Sequence, residues 1–317
     1  MEKKSEDTEE LDVLKEKIDQ FVPSIFWPNV IGLTIIHICG IYGWYLFLSG
    51  RVILTSIYAM VTGYMITLAV PLGAHRLWAH RSYKAKLPLR ICFLIGQTMS
   101  GQYSLWFWVR DHRLHHKYSD TDADPHNSRR GFFFSHVGWL LVTKHPEVIA
   151  KGRQIDLSDL EADPWIMFQK RYYLILHIIF SILILVGIPY YFWNETVWNS
   201  FMTCYMGRYA TSLNITWCVN SFAHIYGTRP YDKNMKPVEN KYVSMVTLGE
   251  GWHNYHHAFP WDCNAAELGR DYNLSGKVLA FLERIGQAYD LKKATKDMAM
   301  NRVLNHGDGS HPVYSTR

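Results

Sequence analysis

The sequence lacks the features that identify secreted, disulfide-bonded or nucleic-acid-binding proteins. Its first 20 residues are charged throughout and contain no apolar run, so we expect no cleaved signal peptide and a cytosolic tail over residues 1–24. The five cysteines are scattered, without the paired spacing of a disulfide framework or a zinc ribbon. No stripe of Lys and Arg accompanies the net charge of +5, which disfavours nucleic-acid binding.

What the sequence does have is long apolar runs, which its mean hydropathy of −0.12 conceals. A helix needs about 20 apolar residues to cross the roughly 30 Å hydrocarbon core of a bilayer. Four stretches meet that length: residues 29–48, 52–72, 172–192 and 197–223. Only residues 49–51 separate the first two, and only residues 193–196 separate the last two, so each pair must form a hairpin. The sequence therefore predicts four transmembrane helices in two hairpins.

The distribution of charge predicts the orientation of these spans. Of the 33 Lys and Arg residues, only Arg51 lies at a hairpin tip and only Arg208 lies within a span. The positive-inside rule then places the polar blocks and both termini in the cytosol. The fourth span also carries Asn214 and Asn220, and we expect its polar side chains to face the bundle or a cavity rather than lipid. A less apolar stretch, residues 91–108, is predicted to be a helix at or under the membrane surface.

Clusters of histidine are the strongest sign of chemistry. Eight of the 16 histidines form three groups, in the runs HRLWAH, HRLHH and HNYHH: His75 and His80; His112, His115 and His116; and His253, His256 and His257. The last two runs share the spacing H-x-x-H-H, which places three imidazoles on one face of a helix. The first pair is weaker, because positions i and i+5 lie about 140° apart on an α-helix. Lone histidines within the spans, such as His37 and His177, are interpreted as packed polar residues.

The position and number of these histidines indicate a dinuclear metal centre on the cytosolic side. No predicted span separates the first group from the second, and two spans separate the second from the third, so all three groups lie on one side of the membrane. A fifth span at residues 91–108 would put the second group across the bilayer. Imidazole suits iron, zinc, copper or nickel. A closed zinc site needs only four ligands, so eight histidines favour two metal ions, and a redox-active iron pair would explain a site beside hydrocarbon.

The runs HRLWAH, RDHRLHH, NSFAHIYG and GEGWHNYHH, in this order, resemble the stearoyl-CoA desaturase type of animal acyl-CoA desaturase. The resemblance covers about residues 26–291, and the runs WDCNAAELG and IYGTRPYD are most similar to insect members. It implies an enzyme of the endoplasmic reticulum membrane with two iron ions, which uses dioxygen to introduce a cis double bond of delta-9 or delta-11 type into a fatty acyl-CoA. Two electrons are then expected from cytochrome b5 and its reductase as separate partners, because no HPGG motif of a fused haem domain occurs.

The resemblance also implies roles for individual residues. It adds His224 as a ninth ligand and implies that Asn220, one helical turn earlier, holds a metal ion through water. It implies contacts between the substrate and six residues, with Arg110 and Asp111 at the CoA portion: Asn29, Trp108, Arg110, Asp111, Lys144 and Trp217. Members commonly carry a basic pair where this chain has Thr143 and Lys144, so we expect one phosphate contact to be missing.

Carboxylates near the clusters are candidates to accept the second N–H of a ligand imidazole and so to orient its ring. Four of them lie close to the histidine runs: Asp111, Asp122, Asp124 and Glu250. Carboxylates are common on any protein, so each of them also has an ordinary interpretation as a capping or surface residue.

The predicted fold is therefore all-α: an integral membrane protein whose four transmembrane helices are capped by a cytosolic helical domain carrying the histidine-rich di-iron site. The predicted organisation is a tail over residues 1–24, a desaturase domain over residues 25–291 and a second tail over residues 292–317. One alternative is a membrane hydroxylase that uses the same three clusters. An alternative of another class is a non-catalytic metal-binding membrane protein, although transport is disfavoured because the histidine clusters lie outside the spans.

Overall fold

The computed structural model describes residues 20–314, and this part of the chain is predominantly helical, which confirms the predicted all-α class. We number the principal helices in chain order as α1 (Trp27–Leu48), α2 (Ile53–Ala79), α3 (Leu87–Ser100), α4 (Leu105–Tyr118), α5 (residues 134–141), α6 (Pro146–Gly152), α7 (Ser158–Glu161), α8 (Pro164–Trp193), α9 (residues 197–225), α10 (Lys241–Val246), α11 (His253–Ala258), α12 (Leu274–Arg284) and α13 (Lys296–His306). Single 3₁₀ turns occur at Ser128–Arg130, Arg270–Tyr272 and Pro312–Tyr314.

Three of these helices, α1, α2 and α8, are long and apolar enough to cross a membrane. Their large side chains lie mostly on the outside of the molecule; Ile41 and Leu174, for example, are 72% and 68% exposed. Such continuous apolar surface is typical of contact with lipid rather than with water. Helix α9 is of similar length, but it carries Arg208, Asn214 and Asn220 and is not among the three.

Small residues bring the long helices into backbone contact. A Cβ atom added to Gly43 of α1 would lie 2.1 Å from the carbonyl oxygen of Met202 in α9. A Cβ atom added to Gly96 of α3 would lie 2.4 Å from the Cβ of Ala69 in α2. Helices in membranes pack at such positions because dispersion contacts between close backbones replace the hydrophobic drive that water supplies elsewhere.

Helices α3 and α4 occupy the stretch in which the sequence predicts one surface helix over residues 91–108. That prediction is wrong in its bounds, because Gly101 adopts a left-handed conformation (φ 75°) and ends α3, and α4 begins at Leu105. Each helix has 14 residues, about 21 Å, which is too short to cross a bilayer. The break redirects the chain so that α4 begins with apolar residues and ends with the second histidine group.

The remaining helices pack as a cap at the end of α2 and α9 where both helices carry histidine. A two-residue ladder joins the strands β1 (Lys84–Ala85) and β2 (Ala288–Tyr289) and ties the start of α3 to the end of α12. Helix α13, in the segment predicted as a tail, buries Ala299 and Val303 against Tyr231 and neighbouring aromatic rings. Residues 1–19 and 315–317, at the two predicted tails, lie outside the described residues.

Candidate metal centre

Four helices bring the nine predicted histidine ligands to one place. His75 lies in the last turn of α2 and His80 follows it; α4 carries His112, His115 and His116; α9 ends near His224; and α11 carries His253, His256 and His257. Their imidazole nitrogens form two groups, each with its ligand atoms within 4.8 Å of one another. The first group has five members, His75, His80, His112, His116 and His256, and the second has four, His115, His224, His253 and His257.

The Nε2 atoms of the first group point at one another. The distance from Nε2 of His256 is 2.9 Å to Nε2 of His75 and 3.0 Å to Nε2 of His116. The Nε2 atoms of His80 and His112 are 2.8 Å apart. A neutral imidazole has only one N–H, so converging Nε2 atoms cannot all be satisfied by hydrogen bonds to each other.

The Nε2 atoms of the second group also lie close together or lack hydrogen-bond partners. The Nε2 atoms of His253 and His257 are 3.1 Å apart. The Nε2 atoms of His115 and His224 are buried and have no hydrogen-bond partner among the described residues. Unpaired buried nitrogens carry a desolvation cost, and a cation between them would remove it.

A π-helical turn brings the predicted ligands His75 and His80 together. Residues Val70–Ala79 form hydrogen bonds from residue i to residue i+5, and the N–H of His80 donates to the carbonyl of His75 at 3.0 Å. Residues five apart are then one turn apart rather than on opposing faces, and the two ring centroids are 4.9 Å apart. The expectation of rings 140° apart assumed an α-helix, and it is wrong here because this turn is a π-helix. Such π turns occur preferentially at functional sites.

Carboxylates hold the outer nitrogens of three ligands. Nδ1 of His75 is 2.6 Å from Glu250, Nδ1 of His115 is 2.9 Å from Asp124, and Nδ1 of His224 is 3.1 Å from Asp120. Each contact fixes the tautomer in which Nδ1 carries the hydrogen and Nε2 offers its lone pair to a metal. Glu250 also accepts a hydrogen bond from Arg76 at 2.6 Å.

Two of the four carboxylates that the sequence suggested as imidazole acceptors have this role in the structure. Glu250 and Asp124 contact ligand histidines as expected, whereas Asp122 is exposed and Asp111 pairs with cations instead. Asp120 was missed, although it lies in the acidic run directly after the second histidine group. Its partner is 104 residues away in the sequence, so no local pattern connects the two.

The electrostatics favour charged carboxylates and, at most of the predicted ligands, neutral imidazole. His115 differs: burial lowers its pKa, but Asp124 and Asp120 outweigh that effect and raise it. Burial, reinforced by neighbouring imidazoles, lowers the pKa well below its usual value at six ligands: His80, His112, His116, His253, His256 and His257. Burial alone would raise the pKa of Asp124, but His115 and His126 outweigh it and lower that pKa to about 2. Neutral imidazole is the form that binds a metal ion. The donor set therefore fits two ions of the imidazole-binding kind.

Two neighbouring cavities adjoin these nitrogens. The first is lined by His75, His112, His115, His253 and Asn220, together with apolar side chains of α2 and α9. The second extends away from the metal centre and includes Asn29, Trp139 and Trp217 in its lining. Trp108, His112, Thr216 and Asn220 line both cavities. An extended apolar molecule in the second cavity could therefore reach the first cavity and the two histidine groups.

The sequence is similar to those of known proteins. The family model described as fatty acid desaturase matches residues 21–273. An acyl-CoA Delta-9 desaturase of Acheta domesticus is 50% identical over 301 residues, covering 95% of this chain and 84% of that protein. The chain belongs to the fatty acid desaturase family. It is thus an oxidoreductase, a desaturase.

Other relatives support the same assignment. An acyl-CoA Delta12-desaturase of Acheta domesticus is 50% identical over 291 residues, covering 92% of this chain and 82% of that protein. Stearoyl-CoA desaturase 5 of Homo sapiens is 47% identical over 287 residues, covering 90% of this chain and 87% of that protein. Relatives named for different double-bond positions thus match this desaturase equally well, so overall identity does not choose between those positions.

The predicted substrate contacts lie at or beside the second cavity of this desaturase. Asn29, Trp108 and Trp217 line the second cavity, where Trp108 stacks on His112 with ring centroids 5.0 Å apart. Asp111 lies at the same cavity and receives Arg110 at 2.6 Å on one oxygen and Lys144 at 2.8 Å on the other. The two cations therefore stand together beside the cavity, partly exposed, with a single carboxylate between them.

Proposed function

We propose that this desaturase acts on fatty acyl-CoA and introduces a cis double bond, of delta-9 or delta-11 type, at the carbon pair that lies beside the two histidine groups. One observation carries the proposal: histidines of both groups line a small apolar cavity that shares four lining residues with a second cavity, and Asp111 in the lining of that second cavity pairs with two cations. An acyl chain needs apolar walls and its CoA portion needs cations, and the two occur in that order along the cavities. The names of the relatives described above agree with this substrate class.

The two histidine groups are proposed to hold one iron ion each. The chemistry supplied by two bound irons, with dioxygen, two electrons and two protons, would be removal of one hydrogen from each of two neighbouring methylenes and formation of two waters. Iron is favoured over zinc because this oxidation needs a redox-active metal. The second group offers four histidines against five in the first, and Asn220 lines the cavity beside it, so Asn220 is proposed to complete that site through water.

The chain's own task is to place one carbon pair at the metals. All methylenes of an alkyl chain are nearly alike in reactivity, so position must be selected by distance from a fixed anchor. Arg110 and Lys144 are proposed to anchor the anionic CoA portion by charge-assisted hydrogen bonds. Trp108, Trp217 and Asn29 then bound the acyl chain between that anchor and the metals, and Thr143 leaves one expected phosphate contact unmade.

The geometry of the site supports four membrane crossings rather than three. His115 precedes α8 in the sequence and His224 ends α9, yet their rings are 5.0 Å apart. If α8 crosses the membrane, the chain must return before His224 to reach the same site, and α9 is the segment that remains between them. Hairpins α1–α2 and α8–α9 follow, with both termini on the cytosolic side of the endoplasmic reticulum membrane by the positive-inside rule.

The electrons are proposed to come from cytochrome b5 and its reductase in trans. Product analysis tests the whole proposal: purified protein reconstituted with iron, cytochrome b5, its reductase and a labelled saturated acyl-CoA should give a monounsaturated product that depends on dioxygen. A hydroxylated product would instead assign the chain to the hydroxylases. Bound metal without any product would favour the non-catalytic metal-binding alternative. His256→Ala should abolish product and lower bound iron, whereas the exposed His306→Ala should change neither.

A further inference from the structure

A chain of hydrogen bonds between histidines joins three elements next to the second cavity. Nδ1 of His37 in α1 lies 2.7 Å from the carbonyl of Leu33, and its Nε2 lies 3.0 Å from the amide nitrogen of Asn214 in α9. The amide oxygen of Asn214 lies 3.2 Å from Nε2 of His136 in α5. Nδ1 of His136 lies 2.9 Å from the hydroxyl of Ser221. The sequence assigned His37 and Asn214 only to packing within the bundle, and it assigned no role to His136 or Ser221.

The chemistry of the donors and acceptors determines the direction of the hydrogen bonds at His37 and Asn214. A carbonyl only accepts, so Nδ1 of His37 donates to Leu33, and the bare Nε2 accepts from the amide of Asn214. The oxygen of Asn214 then faces His136, whose Nε2 must donate to it. The remaining nitrogen of His136 lies beside the hydroxyl of Ser221, whose single hydrogen is shared between this nitrogen and the carbonyl oxygen of Trp217 at 2.9 Å. The directions of the hydrogen bonds at His37 and Asn214 are therefore determined, and these bonds tie α1, α5 and α9 together through one amide.

The network surrounds the indole of Trp217. The ring of His37 stacks with it at a centroid distance of 6.0 Å and an angle of 22°, and the ring of His136 meets it edge-on at 5.8 Å. Each joined element also supplies lining to the second cavity: α1 supplies Leu33, α9 supplies Trp217, and α5 supplies Trp139. The hydrogen bonds therefore fix the relative positions of three walls of that cavity.

We propose that His37, Asn214 and His136 are positioning residues that hold these walls in place and so determine which carbon pair of the acyl chain stops at the metal centre. The inference rests on the proposed function, because it takes an acyl chain as the occupant of the cavity. None of the three residues needs to touch the reacting carbons. They act through Trp217 and through the spacing between α1, α5 and α9.

Asn214→Leu tests the proposal, since leucine has a similar size and makes neither hydrogen bond to histidine. Acyl-CoA binding should weaken roughly threefold to tenfold, the effect of losing one or two intramembrane hydrogen bonds. The double bond should spread from one position to neighbouring positions, with bound metal unchanged. His136→Gln should keep much of the wild-type position, because its amide can donate to Asn214 and accept from Ser221, whereas His136→Leu should not.

Thr211→Val is the matched control. Thr211 lies one turn before Asn214 and accepts a hydrogen bond from Trp44 at 2.8 Å, so it also joins α9 to α1. Trp44, unlike Trp217, does not line the second cavity. This variant should keep a single double-bond position. An unchanged position and affinity in Asn214→Leu, or an equal spread in Thr211→Val, would overturn the inference. Binding of radiolabelled acyl-CoA needs no turnover. It therefore tests the inference even if the wild-type protein forms no double bond and the proposed function fails.

Discussion

At the scale of single residues, Asp120 and Asp124 do for the second histidine group what Glu250 does for the first. Both lie on the loop after α4, and each holds the outer nitrogen of a ligand, His224 in one case and His115 in the other. Replacement of such an acceptor usually lowers metal affinity or activity by about 10- to 100-fold. Asp120→Asn and Asp124→Asn should each lower kcat by that order and weaken iron binding, as measured by turnover and by metal analysis.

Asp122→Asn provides the control for these two variants. Asp122 lies between them on the same loop, carries the same charge and is exposed. It should retain wild-type iron and turnover. Equal losses in all three variants would mean that the loop needs net negative charge rather than two specific contacts.

Arg110 should affect substrate binding without affecting the metals. Loss of one charge-assisted contact commonly weakens binding by about 10- to 150-fold. We expect the lower end for Arg110→Ala, because Lys144 still reaches the other oxygen of Asp111 at 2.8 Å. The apparent KM for acyl-CoA should rise and iron content should stay constant, whereas a fall in kcat as well would mean that the anchor also sets the register of the acyl chain.

Arg153→Ala, which removes an exposed cation elsewhere on the cap, should leave KM unchanged. Loss of iron from Arg110→Ala with unaltered substrate affinity would make Arg110 a structural residue.

At the level of residues, the convergence of the histidines was predictable and the positions of the carboxylates were only partly so. Imidazole is rare enough in proteins that a repeated H-x-x-H-H spacing seldom arises by chance, and the nine histidines lie together in the structure. A carboxylate such as Asp120 has no such signature. Its role depends on a partner brought close by the fold.

At the scale of helices, the presence of α1, α2 and α8 followed from their apolar runs, but two of the lengths and the local helix type did not: α2 continues to Ala79 and α8 begins at Pro164, beyond the predicted bounds of 72 and 172. Nothing in the run VPLGAHRLWAH distinguishes an α turn from a π turn, because the choice depends on what packs against it. Ala74 and Leu72 in this segment are buried within the cap. The sequence therefore underestimated the pair His75 and His80, whose spacing suits a π turn.

The contact between α1 and α9 predicts an effect on stability. A Cβ atom at Gly43 would lie 2.1 Å from a backbone oxygen that cannot move away, so the two helices must separate. Such overpacking typically costs about 1–3 kcal/mol. Gly43→Val should therefore lower the thermal midpoint of the purified protein in detergent.

Gly187→Val is the matched control for that contact. Gly187 lies within α8, and a Cβ atom added there would meet nothing within 4 Å. Its thermal midpoint should change little. A similar loss in both variants would attribute the effect to valine within a helix rather than to the contact between α1 and α9.

At the scale of the whole molecule, the number of crossings decides on which side each terminus lies. Four crossings put both termini in the cytosol, whereas three would put them on opposite sides. Epitope tags at the N- and C-termini should therefore both be removed when sealed microsomes are treated with protease. Protection of the C-terminal tag alone would leave α9 outside the membrane, and a luminal marker protein should stay intact as a test of the seal.

The four separate origins of the metal ligands have a consequence for the lifetime of the protein in the cell. The ends of α2 and α9, together with α4 and α11, meet at the histidines and their carboxylates, so a bound ion acts as a cross-link between segments that the sequence keeps far apart. Binding energy at such a site is also folding energy, and it is lost when the metal is absent. With iron as the proposed metal, the cap of this protein should open more often in cells starved of iron, and the protein should be degraded faster. The abundance of this desaturase would fall with iron supply even while its synthesis continued unchanged.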